Sequence, residues 1–192
     1  MARMDLRTMI ALVGVAGLAI AGCAGTRGPD VATDSRSQSA SGEGFSVEAD
    51  LRDPTNRTRA RAEIAQVGDS IRVKIASVGL AAGAYGAHLH AVGRCDAPSF
   101  ESAGAHWNPG GQMHGKDNPQ GMHKGDLPNL LVGADGQGRF EFTVPDASLT
   151  GGGVRTLLDG DGAAVVIHQR PDDYRSDPAG NSGARIACGV LG

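Results

Sequence analysis

Residues 70–76 read SIRVKIA, and their apolar and polar side chains alternate along the chain. Ile71, Val73 and Ile75 fall on one side of an extended backbone, because successive side chains of a β-strand point to opposite faces. This period of two predicts a strand with one buried face. Residues 67–69, VGD, add a turn signal directly before the strand.

The same alternation returns in residues 139–144, RFEFTV, where Phe140, Phe142 and Val144 share one side. Residues 134–138, ADGQG, provide a hairpin signal before this second strand. The two segments are therefore predicted to be half-buried strands of one fold class.

Three further strands are predicted near Ala84–Val92, Ala163–His168 and Ala184–Leu191. No pattern of helical period and useful length follows the first 22 residues. Aromatic residues make up only 4% of the chain, which contains 30 glycines, a composition that favours short strands joined by many turns over a helical bundle. We expect an all-β fold, either a sandwich or a barrel.

One long segment interrupts this pattern. From Arg94 to Leu127 the chain has almost no periodicity and is rich in glycine, proline, asparagine and histidine. A loop of that length in a compact domain is typically functional. We therefore expect the loop to carry the site.

The histidines lie either in this loop or at predicted strand ends. His88 and His90 are two residues apart, so on a strand their imidazoles would face the same side. An isolated H-x-H is more often a solvated strand face. Here four further histidines accompany the pair, and Asp126 follows the last histidine of the loop by three residues. A binuclear site of imidazoles with one carboxylate is predicted, and nitrogen-rich ligation suits copper and zinc over calcium or magnesium. The six histidines are His88, His90, His106, His114, His123 and His168.

The motifs around these histidines resemble copper–zinc superoxide dismutase over about residues 60–192. The resemblance implies a flattened eight-stranded Greek-key β-barrel, immunoglobulin-like, with a long metal-binding loop. Cys95 lies five residues after His90. This position resembles that of the cysteine in the bacterial periplasmic branch of the family. The motifs are HLH at 88–90, SAGAHWNP at 102–109, HG at 114–115, HKGDL at 123–127, His168 followed by DD at 172–173, and GARIACGV at 183–190.

The resemblance also implies one copper and one zinc ion per chain. His106 would bridge the two metals as an imidazolate and take part in catalysis by delivering a proton to the peroxide product. Copper would be held by His88, His90, His106 and His168; zinc would be held by His106, His114, His123 and Asp126.

Three more positions gain roles from the resemblance. Asp172 would link a copper histidine to a zinc histidine, although a solvated loop carboxylate is the alternative. Arg185 would take part in catalysis beside the copper channel, although it could instead be a surface arginine paired with Asp172 or its neighbour. Cys95 and Cys188 would form a disulfide, and two buried free thiols are the alternative in an exported protein.

The N-terminus is predicted to be an export signal over residues 1–22, with a short apolar run after Arg3 and Arg7. The run ends in Ile20-Ala21-Gly22-Cys23, which resembles a bacterial lipobox, so we expect Cys23 to be lipidated and to anchor the protein to a membrane. Ordinary cleavage at the A-x-A site is the alternative. Residues 23–43 are predicted to be a flexible tether and 44–192 the superoxide dismutase domain. We expect a periplasmic or cell-envelope lipoprotein in the outer membrane.

The expected function is dismutation of superoxide anion to oxygen and hydrogen peroxide by redox cycling of copper, protecting the cell envelope. A net charge of −3 without a basic stripe argues against a nucleic-acid partner. The alternative is an exported copper- and zinc-binding buffer or metallochaperone, although such proteins usually rely on cysteine and methionine for Cu(I) and the five methionines form no ligand cluster. A binuclear zinc hydrolase would need more carboxylates. Monomer and homodimer both remain open.

Overall fold

The computed structural model describes residues 44–192, and the expectations for the signal, Cys23 and the tether lie outside them. The described chain is all-β with one short 3-10 helix, η1 (Glu101–Ala103), which confirms the predicted fold class. Its strands are β1 (Ser46–Arg52), β2 (Thr58–Val67), β3 (Ser70–Ser77), β4 (Gly83–Tyr85), β5 (Ala87–His90), β6 (Leu130–Val132), β7 (Arg139–Val144), β8 (Ala163–His168) and β9 (Arg185–Leu191).

Seven strands form one curled antiparallel sheet in the order β5-β8-β9-β1-β2-β3-β7, and β4 pairs with β6. Strands β1 to β3 are a meander, whereas β7 and β9 return from later in the chain to pair with β3 and β1. Only Gly86 separates β4 from β5. Counted as one bent strand, these two bring the number to the eight expected for the Greek-key barrel.

The predicted alternation decides which side of β3 faces the core. Ile71, Val73 and Ile75 are buried, while Lys74 points outward and pairs with Glu63 on β2 at 3.2 Å. Strands β1, β2 and β6 were not predicted from the sequence. The main core lies inside the curl of the sheet, and its largest fully buried members include Leu51, Ile64, Ile71, Leu89 and Ile167.

Strand β8 is buried along its whole length because both of its faces are covered. Val165 and Ile167 point into the main core, whereas Ala164 and Val166 face a second apolar cluster that contains Phe100. The segment 91–129, between β5 and β6, supplies that second covering layer. An outer sheet face that is normally solvated therefore becomes a buried site.

A disulfide joins the 91–129 segment to the last strand. Cys95 and Cys188 are bonded, with their Cα atoms 5.7 Å apart, which confirms the expected pairing. Within residues 44–192, the structure contains no helix long and apolar enough to span a membrane.

Candidate metal centre

Strand β5 places two histidines on the outer face of the sheet. Ala87 and Leu89 join the main core, so the alternation turns His88 and His90 to the other side, opposite Val166 and Ala164 of β8. His168 ends β8, with its ring centroid 4.8 Å from that of His88.

The long loop adds its histidines through backbone pairing with β5. Trp107 N–H donates to Leu89 O at 2.8 Å, and Leu89 N–H donates to Gly125 O at 2.9 Å. Gly125 has no room for a side chain, because a Cβ there would lie 2.3 Å from Leu89 O. Two loop segments are thereby held beside β5, and they carry His106 and His123 toward the same face.

Four of the imidazoles form a first cluster, in which each ring keeps one buried nitrogen without a hydrogen-bond partner. A buried nitrogen without a partner is costly, and four of them around one point form the donor set of a nitrogen-rich metal site. We call His88, His90, His106 and His168 the copper cluster; its ligand atoms lie within 4.8 Å of one another. The nitrogens without partners are His88 Nδ1, His90 Nε2, His106 Nε2 and His168 Nε2.

The opposite nitrogens of these rings fix their tautomers. His90 Nδ1 lies 2.9 Å from Gly104 O, and His168 Nδ1 lies 3.1 Å from Gly183 O. A carbonyl only accepts, so both Nδ1 atoms carry the proton and both Nε2 atoms present a lone pair inward. This outer support orients each ring as a metal ligand.

The charge state of the copper cluster also suits metal binding. Burial lowers the pKa of His88 to about 3 and that of His168 to about 4. Burial likewise lowers the pKa of His90 and of His106 below the ordinary value. All four rings are therefore neutral near pH 7, which is the form that binds metal ions.

A second group, which we call the zinc cluster, converges on one oxygen of Asp126. The Nδ1 atoms of His106, His114 and His123 lie 2.9, 3.0 and 3.1 Å from Asp126 Oδ1. The His114 contact is close without hydrogen-bond geometry, so its Nδ1 lacks a hydrogen-bond partner. Zinc bonds of about 2.0–2.1 Å in a tetrahedron place donors about 3.3 Å apart, close to these separations.

Backbone contacts hold the carboxylate of Asp126. Its Oδ2 accepts from Gly115 N–H at 2.9 Å and from His123 N–H at 3.0 Å. Burial opposes the charge of Asp126, but the hydrogen bonds from histidine outweigh it and hold the pKa of this carboxyl well below its usual range. A permanent negative charge therefore faces three imidazoles, as a closed four-donor zinc site requires.

His106 belongs to both clusters. Its Nδ1 faces Asp126 and lies 3.3 Å from His123 Nδ1, while its Nε2 faces the copper cluster without a partner. A single imidazole therefore presents one of its nitrogens to each cluster.

Asp172 supports both clusters from behind. It is only 3% exposed, and its two oxygens contact His88 Nε2 at 2.7 Å and His114 Nε2 at 3.0 Å. Burial raises the pKa of this carboxyl, but the hydrogen bonds from His114 and His88 prevail and lower it. Asp172 is thus a buried bridge between one histidine of each cluster, and the alternative of a solvated carboxylate is wrong.

Comparison with known proteins agrees with this geometry. The family model of copper/zinc superoxide dismutase (SODC) matches residues 58–191. The chain belongs to the copper/zinc superoxide dismutase family.

Bacterial proteins are among those with similar sequence or structure. Superoxide dismutase-like protein YojM of Bacillus subtilis (strain 168) is 52% identical over 106 residues, or 55% of this chain and 54% of that protein, so the match spans about half of it. Superoxide dismutase (Cu-Zn) 2 of Aquifex aeolicus (strain VF5) is 41% identical over 144 residues, 74% of this chain and 84% of that protein. A solved structure of a superoxide dismutase-like protein from Bacillus subtilis, in a double mutant with one tyrosine and one proline each changed to histidine, gives a TM-score of 0.71 at 43% identity, covering 75% of this chain and 95% of that chain.

Arg185 lies next to the copper cluster of this superoxide dismutase family member. Its guanidinium donates to Phe100 O and to Gly104 O, both at 2.7 Å, and its charge lowers the pKa of His90 and of His168 further, after burial. Its hydrogen bonds go to these two carbonyls and not to the carboxylate of Asp172. The two exposed arginines Arg170 and Arg175 lie outside both clusters.

Some residues that support the site could not be named from the sequence. The carbonyls of Gly104 and Gly183 lie inside the quoted motifs, but a backbone acceptor has no side chain to mark it. Asn129 and Tyr174 contact Asp172; Asn129 follows the HKGDL motif by two residues, and that proximity was the only signal available.

Proposed function

We propose that the protein is a superoxide dismutase, which converts two superoxide anions and two protons into one molecule of oxygen and one of hydrogen peroxide. The observation that carries this proposal is the copper cluster, with four buried nitrogens without partners on rings held in the metal-binding tautomer. No nucleophile is needed, because one superoxide gives up one electron and the other takes one electron together with two protons.

The donor sets support one copper and one zinc ion per chain. His88, His90, His106 and His168 would hold copper, which supplies the one-electron redox chemistry when bound. His106, His114, His123 and Asp126 would hold zinc, and four protein donors make such a site structural.

Two residues of the chain act on the proton and on the substrate: His106 holds a proton, and Arg185 attracts the superoxide anion. His106 Nε2 is the atom beside the copper cluster at which a proton can be held, because Nδ1 is directed at Asp126. Arg185 places a fixed positive charge near His90 and His168, where it can attract an anion. The surrounding burial keeps water away from the supporting hydrogen bonds.

The histidine set favours an enzyme over a protein that only stores metal. The Bacillus subtilis relative is named superoxide dismutase-like, and two of its residues were changed to histidine in the solved double mutant. In this chain all six histidines belong to the two clusters, with His106 in both.

The test is superoxide decay after addition of the purified full chain loaded with copper and zinc. Fast decay is expected, together with its loss in His168→Ala, which removes a ligand of copper alone and should keep zinc. The matched control is the unsubstituted chain with zinc only. Stoichiometric binding of both metals without catalytic decay would contradict the proposal and assign the protein to the exported metal buffers or metallochaperones.

We propose further that the enzyme acts in the cell envelope as a lipoprotein anchored through Cys23, with an outer-membrane location. The support is the sequence alone: the apolar run, the Ile20-Ala21-Gly22-Cys23 motif and the polar segment that follows. A paired Cys95–Cys188 bond in the folded domain is consistent with an oxidising compartment.

A further inference from the structure

The buried bridge of Asp172 depends on a closed ring of hydrogen bonds with two residues outside both clusters. Asn129 Oδ1 accepts from Asp172 N–H at 2.8 Å, and Asn129 Nδ2 donates to Asp172 O at 3.0 Å. Tyr174 N–H donates to Asp172 Oδ1 at 2.6 Å, and Tyr174 Oη accepts from Asn129 N–H at 2.8 Å. The backbone and the carboxylate of Asp172 are therefore fixed from two sides.

Tyr174 also reaches the loop that carries His114. Its carbonyl accepts from Asp117 N–H at 2.9 Å, and Lys116 Nζ lies 4.3 Å from the centre of its ring. A Cβ at Gly115 would lie 2.1 Å from Tyr174 O, so the two segments touch without space for a side chain. Tyr174 thus contacts the residue after His114 as well as the carboxylate that His114 binds.

The backbone of Tyr174 is unusual for these contacts. Its φ is 60°, in the left-handed region that tyrosine seldom adopts. That conformation directs its N–H at Asp172 Oδ1 while its side chain turns back toward Asn129. A non-glycine residue held in such a conformation by several hydrogen bonds is a common feature of functional sites.

We propose that Tyr174 is a positioning residue of the two-metal centre: it holds Asp172 against the zinc loop, so that His88 and His114 are oriented together. The inference rests on the proposed function, since it concerns how the copper and zinc clusters are prepared for their ions. Tyr174 touches neither cluster with its side chain and acts through Asp172 and Asn129.

The experiment measures zinc affinity of the full chain by competition with a chelator, and the visible spectrum after cobalt replaces zinc. Tyr174→Phe keeps the ring and removes the hydroxyl acceptor of Asn129 N–H. Loss of an outer contact to a metal ligand commonly lowers metal affinity 10–100-fold. The Tyr174 hydroxyl lies one contact further from the ligands, so we expect the zinc affinity of Tyr174→Phe to fall about tenfold. We also expect the cobalt spectrum to shift. Tyr85→Phe is the matched control, because the Tyr85 hydroxyl bonds Ala81 O away from the site.

A double-mutant comparison separates positioning from general stabilisation. In an Asp172→Ala background, Tyr174→Phe should have no further effect on zinc affinity, because the residue through which it acts is gone. Asn129→Ala, which removes the two bonds to the Asp172 backbone, should reproduce the loss and serves if Tyr174→Phe does not fold.

Two results would overturn the inference: a zinc affinity and cobalt spectrum of Tyr174→Phe equal to those of Tyr85→Phe, or the same loss with and without Asp172. Failure of the unsubstituted chain to bind copper and zinc would instead overturn the proposed function. The two failures are therefore distinguishable.

Discussion

Arg185 and His90 share one hydrogen-bond acceptor. The carbonyl of Gly104 accepts from the Arg185 guanidinium at 2.7 Å and lies 2.9 Å from His90 Nδ1. A copper-cluster ring and a positive charge are consequently fixed to the same peptide. The second guanidinium bond, to Phe100 O at 2.7 Å, attaches Arg185 to the loop that carries Cys95.

This arrangement predicts that Arg185→Glu lowers the rate of superoxide decay while both metals remain bound. The whole chain carries a net charge of −3, so an anionic substrate needs a local positive field. Electrostatic steering changes association rates by about 10-fold or more. Salt screens this attraction beyond a Debye length of about 8–10 Å near physiological ionic strength. The rate of the unsubstituted enzyme should therefore fall as salt rises, and this dependence should weaken or reverse in the variant.

Arg139→Glu is the matched control, since it makes the same change of charge on β7, outside both clusters. Equal effects of the two substitutions would show that overall charge, and not Arg185, guides the substrate. A normal rate and salt response in Arg185→Glu would direct attention to Arg170 or Arg175.

His114→Ala should remove zinc and keep some copper. His114 Nδ1 faces Asp126 and its Nε2 faces Asp172, so the ring contributes to the zinc cluster alone. Metal analysis after dialysis checks the ratio, with His168→Ala as the reciprocal variant that should lose copper first. Full zinc content in His114→Ala would show that the ligand assignment is incorrect.

The disulfide should make a large contribution to stability. Cys95 and Cys188 are separated by 93 residues in sequence, and closing a loop of that length corresponds to about 4–5 kcal/mol in the chain-entropy model. Replacing both cysteines by serine should lower the free energy of unfolding, measured by urea titration, by an amount that approaches about 4–5 kcal/mol. Reaction of both cysteines with a thiol reagent in the native oxidised protein would contradict the pairing.

The metal-free protein should lose stability on acidification below about pH 6.5, the ordinary histidine pKa. His88 and His168 have folded pKa values of about 3 and about 4, because burial penalises their charged form. Between these values and about 6.5 the unfolded chain binds more protons than the folded chain. The free energy of unfolding therefore decreases as the pH is lowered, by up to about 1.4 kcal/mol per pH unit for each histidine.

His114 should give the opposite dependence on the alkaline side. Burial opposes its charge, but the carboxylates of Asp126 and Asp172 outweigh this and raise the pKa to about 9. The stabilisation of the folded state by protonated His114 is fully present below about pH 6.5 and is lost as the pH rises through about 9. Urea unfolding of chelator-treated protein should show a maximum near the ordinary histidine pKa. Stability that increases as the pH falls below about 6.5 would contradict this account.

Cys23→Ala should release the protein from membranes into the soluble exported fraction with its activity intact. The lipobox-like Ile20-Ala21-Gly22-Cys23 offers one residue for lipidation, and acyl chains are the proposed anchor. Fractionation of cells that express either form checks the location. Membrane association that survives the substitution would indicate another anchor.

The strands predicted from the sequence are those in which the order of apolar and polar residues matches the buried and exposed faces of the strand. Ile71, Val73 and Ile75 alternate with polar residues because only one face of β3 is covered. Strand β8 appears as an apolar run because both faces are covered. Strand β2 was missed because its buried positions include the alanines Ala60 and Ala62, whose small side chains give a weak hydrophobic signal.

The sequence by itself determined the all-β class, the long loop and the set of histidines, because period-two burial and the scarcity of imidazoles are visible in the order of residues. Only the tertiary structure decided which ring nitrogen is held and which is free. The carbonyls of Gly104 and Gly183 and the carboxylate of Asp172 reach these rings from positions 14, 15 and 84 residues away along the chain. Hydrogen bonds depend on distances in space, and those distances are set when the sheet curls and the loop packs over its outer face.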